Sequence, residues 1–134
     1  MSDTLEDGAI LDVDHVQITI PNGMEAEGIA FYCGVLGLPQ IEKPDALKSR
    51  GGFWLQVGDR QVHVGTEDGA DRRGTKAHIA YRVGNLDYWR EFLPKHGVMI
   101  EEQVPIPGCR RFEFRDPFGN RVELTQPDGA PSAL

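Results

Sequence analysis

Residues 14–20 alternate polar and apolar positions, with His15, Gln17 and Thr19 on one side and Val16, Ile18 and Ile20 on the other. That period of two predicts a half-buried strand. Past the turn Pro21-Asn22-Gly23 the spacing lengthens, and Ile29, Tyr32, Cys33 and Leu36 fall on one face of a helix over 24–36, with Gly37 as its C-cap. Short β-prone runs follow at 39–42, 53–57 and 61–64, the last two joined by Gly58-Asp59-Arg60. The predicted order is β-α-β-β-β.

A polar, glycine-containing connector over 65–76 leads to a second alternating run at 77–83, where the pattern begins again. Asn85 is a good N-cap for a helix carrying Leu86, Trp89 and Leu93 that ends near His96-Gly97, and strands follow at 98–102, 111–115 and 121–125. His78 stands 63 positions after His15, and Glu123 stands 60 after His63, so the halves superpose with small loop differences. We read an internal repeat. It predicts an α+β fold with one domain over 12–126, built from modules 12–65 and 76–126. The leader 1–11 and the tail 127–134, rich in small residues and proline, fall outside the packed part.

The repeat also aligns the chemistry. His15 and His78 open the two modules, and His63 and Glu123 close them. Each lies on the polar side of its strand, opposite Val16/Ile18, Val62/Val64, Ile79/Tyr81 and Val122/Leu124. If the polar faces meet about a pseudo-twofold axis, the four side chains form an N,N,N,O donor set at the floor of one concavity. Imidazole and carboxylate suit a divalent Fe, Zn, Ni, Co or Mn ion, and the lack of thiolates among them argues against a soft-metal or iron–sulfur site. The other reading is a polar groove that binds without metal. His96, beside Gly97, fits a role at a helix C-terminus instead. The aromatics Phe53, Trp54, Phe112 and Phe114 are either core or pocket wall, and Arg110, Arg111 and Arg115 either a solvated face or a contact for an anionic group.

Composition narrows the partners. The 134 residues carry 14 Lys+Arg against 21 Asp+Glu, a net charge of −7, which disfavours nucleic acid and anionic lipid and leaves a small molecule as the expected ligand. A chain of this length buries enough surface to fold without staples. Cys33 and Cys109 have no short-range motif spacing and the first residues lack the basic and apolar regions of a signal peptide, so the expectation is a reduced, cytoplasmic protein. No apolar stretch is long enough to span a membrane. Cys33 sits within the helical pattern as a buried small hydrophobe, and nothing near Cys109 in sequence supplies a base, which argues against a thiol nucleophile.

Four segments together resemble the vicinal oxygen chelate superfamily: Asp14-His15-Val16, Phe31-Tyr32-Cys33-Gly34-Val35-Leu36-Gly37-Leu38, Ala77-His78-Ile79-Ala80, and the run from Arg111 through Asp116-Pro117-Phe118-Gly119-Asn120 to Glu123. That group includes glyoxalase I, fosfomycin-resistance proteins, extradiol dioxygenases, methylmalonyl-CoA epimerase and bleomycin-resistance proteins. The resemblance implies paired βαβββ modules whose mixed sheets curl into a metal-binding cup, completed in a homodimer. It places the metal ligands at His15, His63, His78 and Glu123. Glyoxalase I usually has a carboxylate where this chain has His63, which leaves Glu123 as the one ligand able to double as a catalytic general base. His15, His78 and Glu123 also match the facial triad of extradiol dioxygenases and the ligands of fosfomycin-resistance proteins.

The expected function is therefore a metal-dependent enzyme of glyoxalase type, a lyase or isomerase acting on a small substrate whose adjacent oxygens chelate the ion. The alternatives are an Fe(II)-dependent dioxygenase and a metal-free, resistance-type binding protein.

Overall fold

The computed structural model describes residues 7–129. Its first half holds β1 (His15–Ile20), α1 (Glu25–Ile29) continued by a π-helical stretch (Ala30–Val35), β2 (Gln40–Ile41), a 3-10 helix (Asp45–Arg50), β3 (Phe53–Val57) and β4 (Arg60–Thr66). The second half holds β5 (His78–Arg82), α2 (Leu86–Lys95), β6 (Glu101–Glu102), β7 (Cys109–Arg115) and β8 (Arg121–Pro127). Two four-stranded sheets result, sheet A in the order β1-β4-β3-β2 and sheet B in the order β5-β8-β7-β6. This is the predicted α+β architecture.

The repeat holds at the level of register. His15 pairs with Gln61 and Gln17 with His63 across the parallel β1–β4 ladder, while His78 pairs with Arg121 and Ala80 with Glu123 across the parallel β5–β8 ladder. The sheets are not strongly curled. Curvature of that kind is introduced by bulges, and the β3–β4 and β7–β8 registers run without one.

Differences from the predicted elements have local causes. The helix over 24–36 forms, but its pitch widens, with Leu36 N–H donating to the Phe31 carbonyl five residues back. The strand expected over 98–102 shrinks to two residues, because Val98 and Ile100 pack against the core rather than joining a ladder. Asn85 caps α2 as predicted, accepting from Tyr88 N–H at 3.1 Å, and His96 Nδ1 lies 3.2 Å from the Phe92 carbonyl at the other end. The 3-10 helix was not predicted. Pro127 ends β8, and the expected tail beyond 129 and the first six residues of the leader lie outside the described residues.

One helix serves both sheets. A Cβ on Gly28 would stand 2.9 Å from the Phe53 ring and 3.0 Å from Ile20, so α1 lies directly on the apolar face of sheet A. Phe31 meets Phe114 edge-on at 6.2 Å, and Tyr32 donates a 2.6 Å hydrogen bond to Asp116 at the end of sheet B. Asp116, 2 % exposed, also accepts from the backbone N–H groups of Phe118 and Asn120 and from Asn120 Nδ2. Asn120 Nδ2 in turn lies 2.9 Å from the Thr19 carbonyl on β1. A buried carboxylate is tolerable when every lone pair has a donor.

Asp116→Ala leaves those donors without an acceptor and should destabilise the fold by about 3–5 kcal/mol, whereas Tyr32→Phe should cost about 1–2 kcal/mol. Urea denaturation checks both, and an Asp116→Ala loss below that of Tyr32→Phe would refute the central role of the carboxylate. The tyrosines add a pH dependence. Burial first, then Asp116, holds the Tyr32 phenol well above its ordinary 10.0 and pushes Tyr81 up to about 12. Both folded values exceed the unfolded one, so this stability is complete below pH 10.0 and is lost as pH rises towards about 12. The urea midpoint should fall across that window, less steeply in Tyr81→Phe. A flat profile would mean that the phenols ionise freely in the fold.

Candidate metal centre

Period-two geometry puts His78, Arg111, Glu113, Arg121 and Glu123 on the face of sheet B away from the helices. The β7–β8 register sets Glu113 directly opposite Glu123. Both carboxylates are buried, at 3 % and 7 % exposure. Arg111 Nη1 stands 3.4 Å from Glu123 Oε1, and Arg121 Nε stands 2.8 Å from Glu113 Oε1. The second contact is an ion pair by distance but is poorly aligned as a hydrogen bond, so both of its atoms lack a hydrogen-bond partner.

His78 is oriented from behind. Its Nδ1 lies 2.9 Å from the Lys76 carbonyl, which can only accept, so Nδ1 carries the proton. Nε2 then lies 3.1 Å from Glu123 Oε1. Unless a second proton sits on the ring, a lone pair faces a carboxylate. A cation between them resolves that conflict, and the backbone carbonyl behind the ring is the usual support for a metal-binding imidazole. Ligand atoms of His78, Glu113 and Glu123 lie within 4.8 Å of one another, the one such group of three among the described residues. The N,O,O set fits a divalent ion of the borderline or hard class.

Sheet A carries the other two histidines. His63 is buried between two rings, with Trp54 at 3.8 Å and 2° between planes on one side and His15 at 4.0 Å and 18° on the other. Asp14 lies 2.9 Å from His15 Nδ1, and Gln61 Oε1 lies 2.9 Å from His63 Nε2. Burial first, and then His15, lowers the pKa of His63, which favours the neutral ring.

The expected set is thus brought together in two pairs. His78 meets Glu123, His15 meets His63, and no atom of the second pair enters the cluster on sheet B. The reason lies in how the sheets touch. Asn120, next to the register partner of His78, holds Thr19 rather than His15, and those two stand four positions apart along the strand, about 13 Å at the normal rise.

Glu113 was not predicted as a donor, although the alternation Arg111-Phe112-Glu113-Phe114-Arg115 carried the signal: once the two phenylalanines are core, Glu113 must face Glu123. Phe53, Phe112 and Phe114 are core, at 2 %, 0 % and 0 % exposure, whereas Trp54 lies on the polar face. Arg110 pairs with Asp87 on α2, and Arg115 donates to the Gly119 carbonyl. Burial raises the Cys33 thiol, and Cys109 Sγ contacts Thr125 Oγ1, which leaves neither placed as a nucleophile. No helix among the described residues is long and apolar enough to cross a membrane.

Comparison with known proteins bears on the fold and the family. The solved structure of a glyoxalase family protein from Bacillus anthracis is 37 % identical, covering 88 % of this chain and 96 % of its own, with a TM-score of 0.82. Two more distant structures share the fold. The fosfomycin resistance protein FosX from Listeria monocytogenes, complexed with Mn(II) and sulfate, is 18 % identical at a TM-score of 0.70, with 93 % of each chain covered. TnmS3, an antibiotic binding protein from a Streptomyces species, is 20 % identical at 0.68, covering 89 % of this chain and 98 % of its own. A search of curated proteins found no match. Residues 13–124 match the sequence profile of the family, and with the alignment to the Bacillus anthracis structure they establish that the chain belongs to the Glyoxalase/Bleomycin resistance protein/Dioxygenase superfamily.

Proposed function

We propose that the chain is a metal-dependent enzyme of the glyoxalase type, a lyase or isomerase acting on a small substrate with two adjacent oxygens. The observation that carries this reading is the cluster in which His78 Nε2 stands 3.1 Å from the buried Glu123 carboxylate, with Glu113 beside it and Nδ1 turned to the Lys76 carbonyl. The FosX structure, which contains Mn(II), lends support from a protein of the same fold.

His78 and Glu123 would hold the ion, one of Fe, Zn, Ni, Co or Mn, which when bound supplies a Lewis acid for negative charge developing on a substrate oxygen. Glu113 changes the assignment of the base. Expected of Glu123 alone, proton transfer can pass to Glu113 Oε1, which lies at the same depth without an aligned donor. Glu123 is then free to remain a ligand. Arg121 beside Glu113 and Arg111 beside Glu123 hold the two carboxylates apart in charge. His15 and His63 do not join this cluster within one chain, which supports a homodimer in which each polar face of sheet B meets a sheet A from the second copy.

A second reading, a metal-free protein of the resistance type, is favoured by the half-buried Trp54 ring on the polar face, a surface on which a planar ligand can stack. Thermal melting of chelator-stripped protein separates the two. Added Mn(II), Fe(II), Zn(II), Ni(II) or Co(II) should raise the melting temperature, with about 2.7 kcal/mol of stabilisation at a hundredfold excess over Kd. His78→Ala and Glu123→Ala should abolish that shift, while Glu113→Gln should keep much of the shift and lose turnover by about a hundredfold or more. No shift with any of these ions in the wild type overturns the metal-dependent reading. Oxygen uptake by the ferrous protein with a catechol would move the reaction to the dioxygenase class.

Sedimentation at working concentration tests the pairing. A dimer is expected, and His15→Ala should then weaken the metal shift. A monomer that retains full metal uptake would place the whole site within one chain.

A further inference from the structure

A cavity of about 280 Å³ opens beside His63 on the polar face of sheet A, walled by Trp54, Leu47, Lys43 and Arg50 and floored by Gly65. Its construction is specific. Gly52 has φ +80, and a Cβ there would stand 2.2 Å from the Val64 carbonyl, so only glycine lets the chain run this close to β4. That approach lays the 3-10 helix over the sheet and delivers Lys43, Leu47 and Arg50 to the rim. On the floor, a Cβ at Gly65 would meet Gln17 Nε2 at 2.8 Å, so the missing side chain makes room for an amide donor that lines the cavity.

Charge gives the cavity its selectivity. The chain is acidic, at −7 overall, yet no carboxylate lines this space. The neighbouring groove between β1 and β5 differs, with Glu67 and Asp71 set among its arginines. Lys48, on the same 3-10 helix, is neutralised by Glu42 and Asp45, and Glu25 behind the rim is bonded to Gly52 N–H. Lys43 Nζ donates to the Gly51 carbonyl, and neither Lys43 nor Arg50 has a carboxylate partner among the described residues. Two uncompensated cations at a half-enclosed mouth, beside donors from Gln17 and Thr66, form a binding surface for an oxyanion.

We infer that this cavity is a subsite for an anionic group, a carboxylate or a phosphate, held by Lys43 and Arg50 while the body of the molecule lies against Trp54 and His63. The assignment rests on the reading of the polar faces as the active surface, and it names the substrate class: a small molecule with an anionic end as well as adjacent oxygens.

Titration calorimetry on the full chain tests it with benzoate, inorganic phosphate and the uncharged benzamide. Benzoate or phosphate should bind saturably and more weakly as salt is raised, and which of them binds tells a carboxylate subsite from a phosphate one. Lys43→Gln/Arg50→Gln should lose roughly tenfold or more in affinity with an unchanged melting temperature, and benzamide should not compete. Three results would overturn the subsite: no saturable binding of either anion, equal affinity in the double variant, or benzamide binding as well as benzoate. The same titrations on His78→Ala and Glu123→Ala keep the two readings apart. Anion binding that survives in these variants shows that the subsite stands without the metal centre, whereas wild-type protein that binds the anion and takes up no metal leaves the subsite standing and sinks the metal-dependent function. Metal uptake without anion binding does the reverse.

Discussion

The Asp116 carboxylate is the constraint on which the rest of the molecule depends. It is buried in a chain that already carries excess negative charge, and among the described residues no cation pairs with it; the donors are the Tyr32 hydroxyl, two backbone N–H groups and the Asn120 amide. Burying such a group costs least when all of its donors hold their places. It therefore closes the turn between β7 and β8, ties α1 to sheet B, and through Asn120 ties β1 to the same point. The turn sets the register that faces Glu113 with Glu123. A slip of one residue would carry both carboxylates into the apolar side, among Phe112, Phe114 and Leu124.

The same anchor decides how the repeat is used. Because Asn120 grips Thr19 near the end of β1, the two modules pack through helices and apolar faces within the chain, and their polar faces carry separate half-sets of donors. Within one chain the repeat presents two surfaces of different chemistry. Sheet A bears a stack of rings with cations at its edge, and sheet B bears an imidazole with two buried carboxylates. Under the proposed function, substrate contact and ion binding would be divided between the modules.

Much of this was legible in the amino-acid order because it follows from short-range periodicity. Alternation at 14–20 and 77–83 located β1 and β5 to within a residue, the pairing of His15 with His78 and of His63 with Glu123 became identical ladder positions, and Asn85 capped where expected. What escaped depends on tertiary contact. Period two assigns a face but not which faces meet, so the alternation could place four donors on polar faces without saying that one chain holds them as two pairs. Val98 and Ile100 alternate because they pack, not because they pair. The 3-10 helix over Asp45–Arg50 has no apolar period, and its position follows from the close approach at Gly52, which no local pattern announces.

The charge balance on sheet B bears on how an ion would be held. Arg111 and Arg121 already offset Glu123 and Glu113, so the face is close to neutral as it stands, and charge alone does not call for a dication. The demand is directional. Arg121 Nε is near Glu113 Oε1 without pointing at it, and His78 Nε2 stands 3.1 Å from Glu123 Oε1. Under the proposed function, arginines that satisfy charge but not direction would have to loosen their hold on the carboxylates for an ion to be held there. Such a site would favour exchangeable, moderate binding over a permanent structural metal, as suits an ion that must keep positions open for a substrate's oxygens.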